Sequence, residues 1–157
     1  MNRFLLAALL ALLAAPARAD QPVQLALFDP VQLVPDTQSV SGLRLTLIYS
    51  RNVNVTGFDY SFIATHTTGN FKGVQLAPVN IVDKDVLGLQ WSWVGLTGGT
   101  MRGAQLGLFN KAKRVEGLQL GLVNYAGTIH GIQIGFVNII EQGGWLPVMV
   151  IVNGNLG

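Results

Sequence analysis

Two histidines, two neighbouring aspartates and one glycine-rich pentapeptide are the places in this sequence where chemistry could sit. His66 lies in "THTTG" with no carboxylate close by in sequence, so the segment reads as a loop and the imidazole as a surface group. His130 precedes Gly131 at a position held in other copies of the same frame by Ser41, Thr56, Lys72, Leu87, Arg102 and Glu116. A general acid or base needs a fixed partner within hydrogen-bond reach, and a position that varies in this way reads as solvated surface. Asp83 and Asp85, in "VDKDV", could offer oxygens to a hard cation. Calcium wants about six to eight oxygens, and Lys84 stands between the two carboxylates. "LTGGT", residues 96–100, has the composition of a phosphate cradle but lacks the lysine and the following helix that such a cradle uses, so it reads as a turn. The expectation is a non-enzyme, with no catalytic, cofactor-binding or metal-binding residue assigned and no cofactor.

What must position these residues is a repeat. Taking the glycine of "GLQLGLVN" as a marker, one frame recurs at Gly42, Gly57, Gly73, Gly88, Gly103, Gly117 and Gly131, with spacings of fourteen to sixteen residues. Gly144 is expected to open an eighth, degenerate unit. Within a unit Leu118, Leu120 and Leu122 alternate with Gln119, Gly121 and Val123, which is the period of a strand. A later position holds Asn80, Gly95, Asn110, Asn124 and Asn138; both residue types tolerate left-handed backbone, so the chain is expected to turn there. An apolar residue two before each marker, such as Val115 or Ile129, is expected to belong to a second, shorter strand.

A unit of this size with two strands and two corners is one rung of a narrow β-solenoid, so the expected fold is all-β with seven to eight rungs stacked at about 4.8 Å. Stacking puts like on like, with leucines expected inside and the ladder Gln75, Gln90, Gln105, Gln119 and Gln133 outside. Where glutamine is missing, Arg44 and Asp59 take the same place in adjacent units and should become direct neighbours. The alternative is a small eight-stranded outer-membrane β-barrel, which would give Phe58, Tyr60, Phe62, Trp91 and Trp93 a lipid-facing surface. Against it, the apolar stretches fall short of the 9 to 11 residues, roughly, of a membrane strand, and every unit carries the same orientation signal. Pro22, Pro30, Pro35 and Pro147 lie at the two ends, where proline blunts strand edges; Pro78, inside the third unit, removes a ladder donor.

Residues 1–19 read as a signal peptide: Arg3, then the apolar "FLLAALLALLAA", then "ARA" before Asp20. Residues 20–41 follow as an N-terminal capping segment and 42–157 as the repeat domain. Of ten Lys and Arg, Arg3 and Arg18 leave with the leader, so eight face eight Asp and Glu. A neutral chain carries no argument for nucleic acid, and none is inferred as a partner. There is no cysteine, and only 11% of residues are charged where an ordinary domain has about 25%.

The units "GLQLGLVN" and "GIQIGFVN" and the closing "LPVMVIVN" resemble those of bacterial surface-repeat proteins built of tandem GLQ-x-GLVN copies behind a signal peptide. The resemblance covers residues 42–153 and implies an exported or surface-associated protein without assigned chemistry. "QLGLFNKA" and "QLGLVNYA" are also similar to the Q-x-G-x-x-N-x-A pattern of curlin repeats, whose units are longer and more polar, so fibre formation is not carried over. The expected function is that of an exported, non-catalytic structural or interaction protein of the cell surface or envelope, the barrel being the alternative. Its place would be the cell surface, outer membrane or periplasm; its partner is an unknown protein or envelope component, and membrane association stays open.

Overall fold

The computed structural model describes residues 20–157, so the expected signal peptide lies outside the described residues. The described residues form ten strands and no helix. These are β1 (Gln21–Phe28), β2 (Val31–Gln32), β3 (Val40–Thr46), β4 (Tyr49–Asn52), β5 (Val55–Ser61), β6 (Ala64–Thr67), β7 (Phe71–Leu76), β8 (Val79–Val82), β9 (Val86–Gln142) and β10 (Val148–Asn155). β9 winds through four glycine-marked rungs without a break.

Pairing is parallel from rung to rung along two walls. On the first wall Gly42 faces Gly57, Gly57 faces Gly73 and Gly73 faces Gly88. On the second, Ser50 faces Thr65, Thr65 faces Asn80 and Asn80 faces Gly95. The fold is a β-solenoid. A transmembrane barrel needs antiparallel neighbours closed into a cylinder, so the barrel alternative is excluded. At the N-terminal end β1 adds a further parallel strand, with Gln24 opposite Arg44, and β2 folds back antiparallel on it.

The expected eighth unit is corrected. β10 reverses direction and pairs antiparallel with the last rung, Asn153 opposite Gln133 and Val148 opposite Ile139, so the parallel stack stops there. Pro147 sits before this reversal and its carbonyl accepts the Ile140 amide. Pro78 also finds its reason: it stands at the corner between β7 and β8, and its carbonyl accepts both the Trp93 and Val94 amides.

The division of each unit into strands differs from the expectation. Val40 and Val55 belong to the same strands as their marker glycines, and the chain bends later, between β3 and β4 or β5 and β6. The left-handed turn at the asparagine position is likewise overturned: among the described residues the one non-glycine with positive φ is Ile151. Asn110, Asn124 and Asn138 are strand residues pointing inward. The special backbone sits at the marker glycines instead. Gly117 has φ +139°, and a Cβ on it would lie 2.1 Å from the Gly103 carbonyl oxygen of the rung before. Glycine is thus required twice there, by conformation and by close approach. "LTGGT" stays within β9, crossing over Asp83 to Asp85 of the preceding rung, and is not a free turn.

The largest correction concerns the faces. Alternation within each unit is as expected, but its sign is inverted: Gln75, Gln90, Gln105, Gln119 and Gln133 are fully buried, while Leu120 and Leu122 are exposed. The interior therefore has two halves. Toward one edge of the flattened rung lies an apolar column that includes Val40, Val55, Phe71, Val86, Met101 and Val115. Toward the other lie the glutamine and asparagine columns. A buried amide is tolerable only when bonded, and stacking in register supplies the bonds. Gln90 donates to Gln75, Gln105 to Gln90, Gln119 to Gln105 and Gln133 to Gln119, at 2.7–3.0 Å.

Candidate interaction surface

The amide columns explain why the outside looks as it does. Each inward glutamine is flanked in its strand by two outward apolar side chains, such as Leu118 and Leu120 around Gln119, Leu89 and Trp91 around Gln90, and Ile132 and Ile134 around Gln133. The next inward position holds a small residue, Ser92 or Gly121, and the one after it faces out at the bend, as Trp93, Leu122 and Phe136 do. Trp93 and Phe136 are 66% and 76% exposed, so the bend is a ridge of large apolar side chains standing in solvent. Counting from each marker glycine, the first, third, fifth and sixth residues carry no charge in any of the seven rungs.

The ridge continues past the repeats at both ends. Leu25 and Leu27 of β1 are exposed beside Leu45 and Leu47, and Val150 and Ile151 of the closing segment are exposed beside Ile134 and Phe136. Near the N-terminal end it opens into an apolar groove of about 760 Å³, bounded by side chains including Leu33, Leu47, Tyr60 and Phe62. Tyr60 and Phe62 meet edge to face, with ring centroids 5.4 Å apart. A second groove lies between Phe62 and the pair Trp91 and Trp93.

Amides beneath the ridge bond to the rung before. Leu47 and Ile48 donate to the carbonyls of Ala26 and Leu27, Phe62 to Thr46, and Trp93 to Pro78, each one rung back.

Charges gather on the opposite edge. Arg102 and Arg114 both bond Glu116, at 2.7 and 2.9 Å. The hydrogen bond from Arg102 holds the Glu116 carboxyl below its ordinary range, and the same bond raises the Arg102 guanidinium. Lys113, Glu141 and Gln142 border the same edge. Tyr125 donates to Glu141, and this bond pushes its phenol up.

The residues singled out for chemistry go separate ways. His130 is exposed. His66 is on β6, not in a loop, and stacking brings it the carboxylate that its own segment lacks. Its Nε2 lies 2.9 Å from Asp83 and its Nδ1 3.0 Å from the Tyr49 hydroxyl. An imidazole protonated on Nε2 donates to Asp83 and accepts the phenol proton, tying three successive rungs together. Burial pushes the Tyr49 phenol up, the opposite of what an activated nucleophile needs. Asp85 does not converge with Asp83; it accepts the Thr100 amide of the next rung at 2.7 Å. Among the described residues no three His, Asp or Glu side chains gather as a metal site.

Arg44 and Asp59 are direct neighbours as expected, but inside: both are fully buried, with contacts of 2.8 and 2.5 Å. Asp59 also accepts from Gln75, so the glutamine column ends on this carboxylate. The sequence reasoning missed the ridge as a surface because it assigned leucine to the core. The available signal was size: from Gln75 onward the inward position keeps to Gln while the outward one ranges from Leu to Trp.

No family model, curated protein or solved structure matches the chain.

Proposed function

We propose that this is an exported, non-catalytic protein of the cell envelope that acts by binding over an area and not in a pocket. The observation that carries the reading is the uncharged ridge of large apolar side chains along a stiff solenoid. Ordinary surfaces scatter such residues singly; a contiguous patch rimmed by polar groups is the mark of an interaction site. The leader pattern of residues 1–19 and the resemblance to surface-repeat proteins support export. The histidines and aspartates that could serve a reaction are spent on rung-to-rung ties or stand alone in solvent, which favours a structural role.

The test is fractionation of cells expressing the full chain, with mass measurement of the product. The reading expects a species beginning at Asp20 in the envelope fraction and released by detergent. A product retaining Met1 in the cytoplasm would overturn it.

A further inference from the structure

We propose that the ridge is a bilayer-inserting edge: the rod lies flat on a membrane, its leucine and aromatic corner among the acyl chains and its charged edge in water. This rests on the reading of the chain as an envelope interaction protein and names what it binds.

Composition separates lipid from protein as the occupant. Protein interfaces are only about 56–65% apolar and carry roughly one hydrogen bond per 100–200 Å². Four positions per rung, over seven rungs, offer no charged group, and their few side-chain donors are the Tyr60 hydroxyl and the indoles of Trp91 and Trp93. Those two residue types are the ones enriched at membrane interfaces. A protein partner would find almost nothing to orient it, whereas hydrocarbon asks for nothing more.

The backbone permits insertion. Hydrocarbon excludes unpaired amides and carbonyls, so sheet edges cannot enter it. The corner's amides bond from rung to rung, as Phe62 does to Thr46 and Trp93 to Pro78, and the sheet's free edges lie at the ends of the rod.

Shape and dimensions agree. The apolar side chains wrap both walls of the corner, so the ridge is convex. A flat second copy would cover one wall and leave the other wet, while fluid lipid covers both. Eight parallel strands at about 4.8 Å make an edge roughly 34 Å long, and three residues from flank to tip make it about 10 Å deep. Interfacial elements sink about 5–10 Å. The row before the marker glycines borders the ridge on one wall with Lys72, Arg102, Glu116 and His130, where the charged edge begins, and is broken by Leu87; on the other wall Arg51, His66 and Lys111 border it, and Ile81 and Leu96 share the row of Arg51 and His66. Because the mature chain is neutral, binding should follow burial and not lipid charge.

The test is flotation of the purified protein with phosphatidylcholine vesicles, read together with tryptophan emission. Trp145→Phe leaves Trp91 and Trp93 as the reporters. The protein should float equally at low and high salt, its emission should shift to the blue, and brominated acyl chains should quench it. Leu122→Lys with Phe136→Lys should lower vesicle binding at least about tenfold, while Gln142→Lys on the charged edge should float like the parent. Far-UV dichroism checks that the variants fold, and the quenching result stands without them. Wild-type protein left behind by the vesicles, a lipid-free dimer that shields Trp91 and Trp93, or equal loss in the Gln142 variant would each overturn the proposal. An exported chain that fails to float removes the lipid and leaves the envelope reading standing.

Discussion

Gln119 donates its Nε2 to the Oε1 of Gln105 at 2.8 Å, with both side chains wholly buried. The same relation repeats from Gln75 to Gln133, every donor pointing toward the N-terminal end. The asparagine column runs the other way: Asn110 donates to Asn124 and Asn124 to Asn138. The two rows of aligned amides have opposed dipoles, and each leaves an unpartnered oxygen at its acceptor end, on Gln133 and Asn110. Aligned chains strengthen bond by bond, so a core of this kind holds together as a unit.

Gln119→Leu should therefore destabilise the protein although it adds apolar volume to the core. It strips Gln105 of its donor and Gln133 of its acceptor, and a buried group left unpaired costs about 1–3 kcal/mol. Denaturant unfolding should show a loss of roughly 2–4 kcal/mol.

At the Arg44 and Asp59 pair the two substitutions should behave differently alone and together. Asp59→Asn leaves a buried guanidinium without its counter-charge, which costs about 3–5 kcal/mol. Replacing both with glutamine continues the column found at Gln75 and beyond, and should restore the melting temperature to the parent's or above it. A double variant as unstable as the single one would contradict this.

Two glycines with positive φ should respond unequally. Gly117→Ala meets both left-handed strain and the Gly103 carbonyl, and should cost roughly 3 kcal/mol or more. Gly143 has φ +77° and open space, its nearest neighbour 3.6 Å from a built Cβ, so Gly143→Asn should cost under about 1 kcal/mol. Thermal melts of the two variants decide it.

Periodicity made the architecture legible, because a marker glycine every fourteen to sixteen residues has few parallel-stacked solutions. The neighbourhood of Arg44 and Asp59 followed from register alone. Alternation, however, states that two faces exist and not which one is inside. The usual rule that leucine is buried chose wrongly, since it ignores that stacked amides satisfy one another in the interior of a thin rod. Tryptophan at 91 and 93 was the warning, being too bulky for the narrow core that the leucine positions were expected to fill. The asparagine corner failed for a related reason: tolerance of left-handed backbone was read where side-chain bonding was the use. His66 and Asp83, seventeen residues apart, could be paired only once the second wall was known.

The inverted core is the central claim, and the absence of cysteine allows it to be tested on adjacent residues. Single variants Leu120→Cys and Gln119→Cys should be labelled by a maleimide under native conditions and again after denaturation. Leu120→Cys should react natively at nearly its denatured rate, and Gln119→Cys should be protected until the chain unfolds. Protection of Leu120→Cys in a folded protein, with free labelling at position 119, would contradict the account.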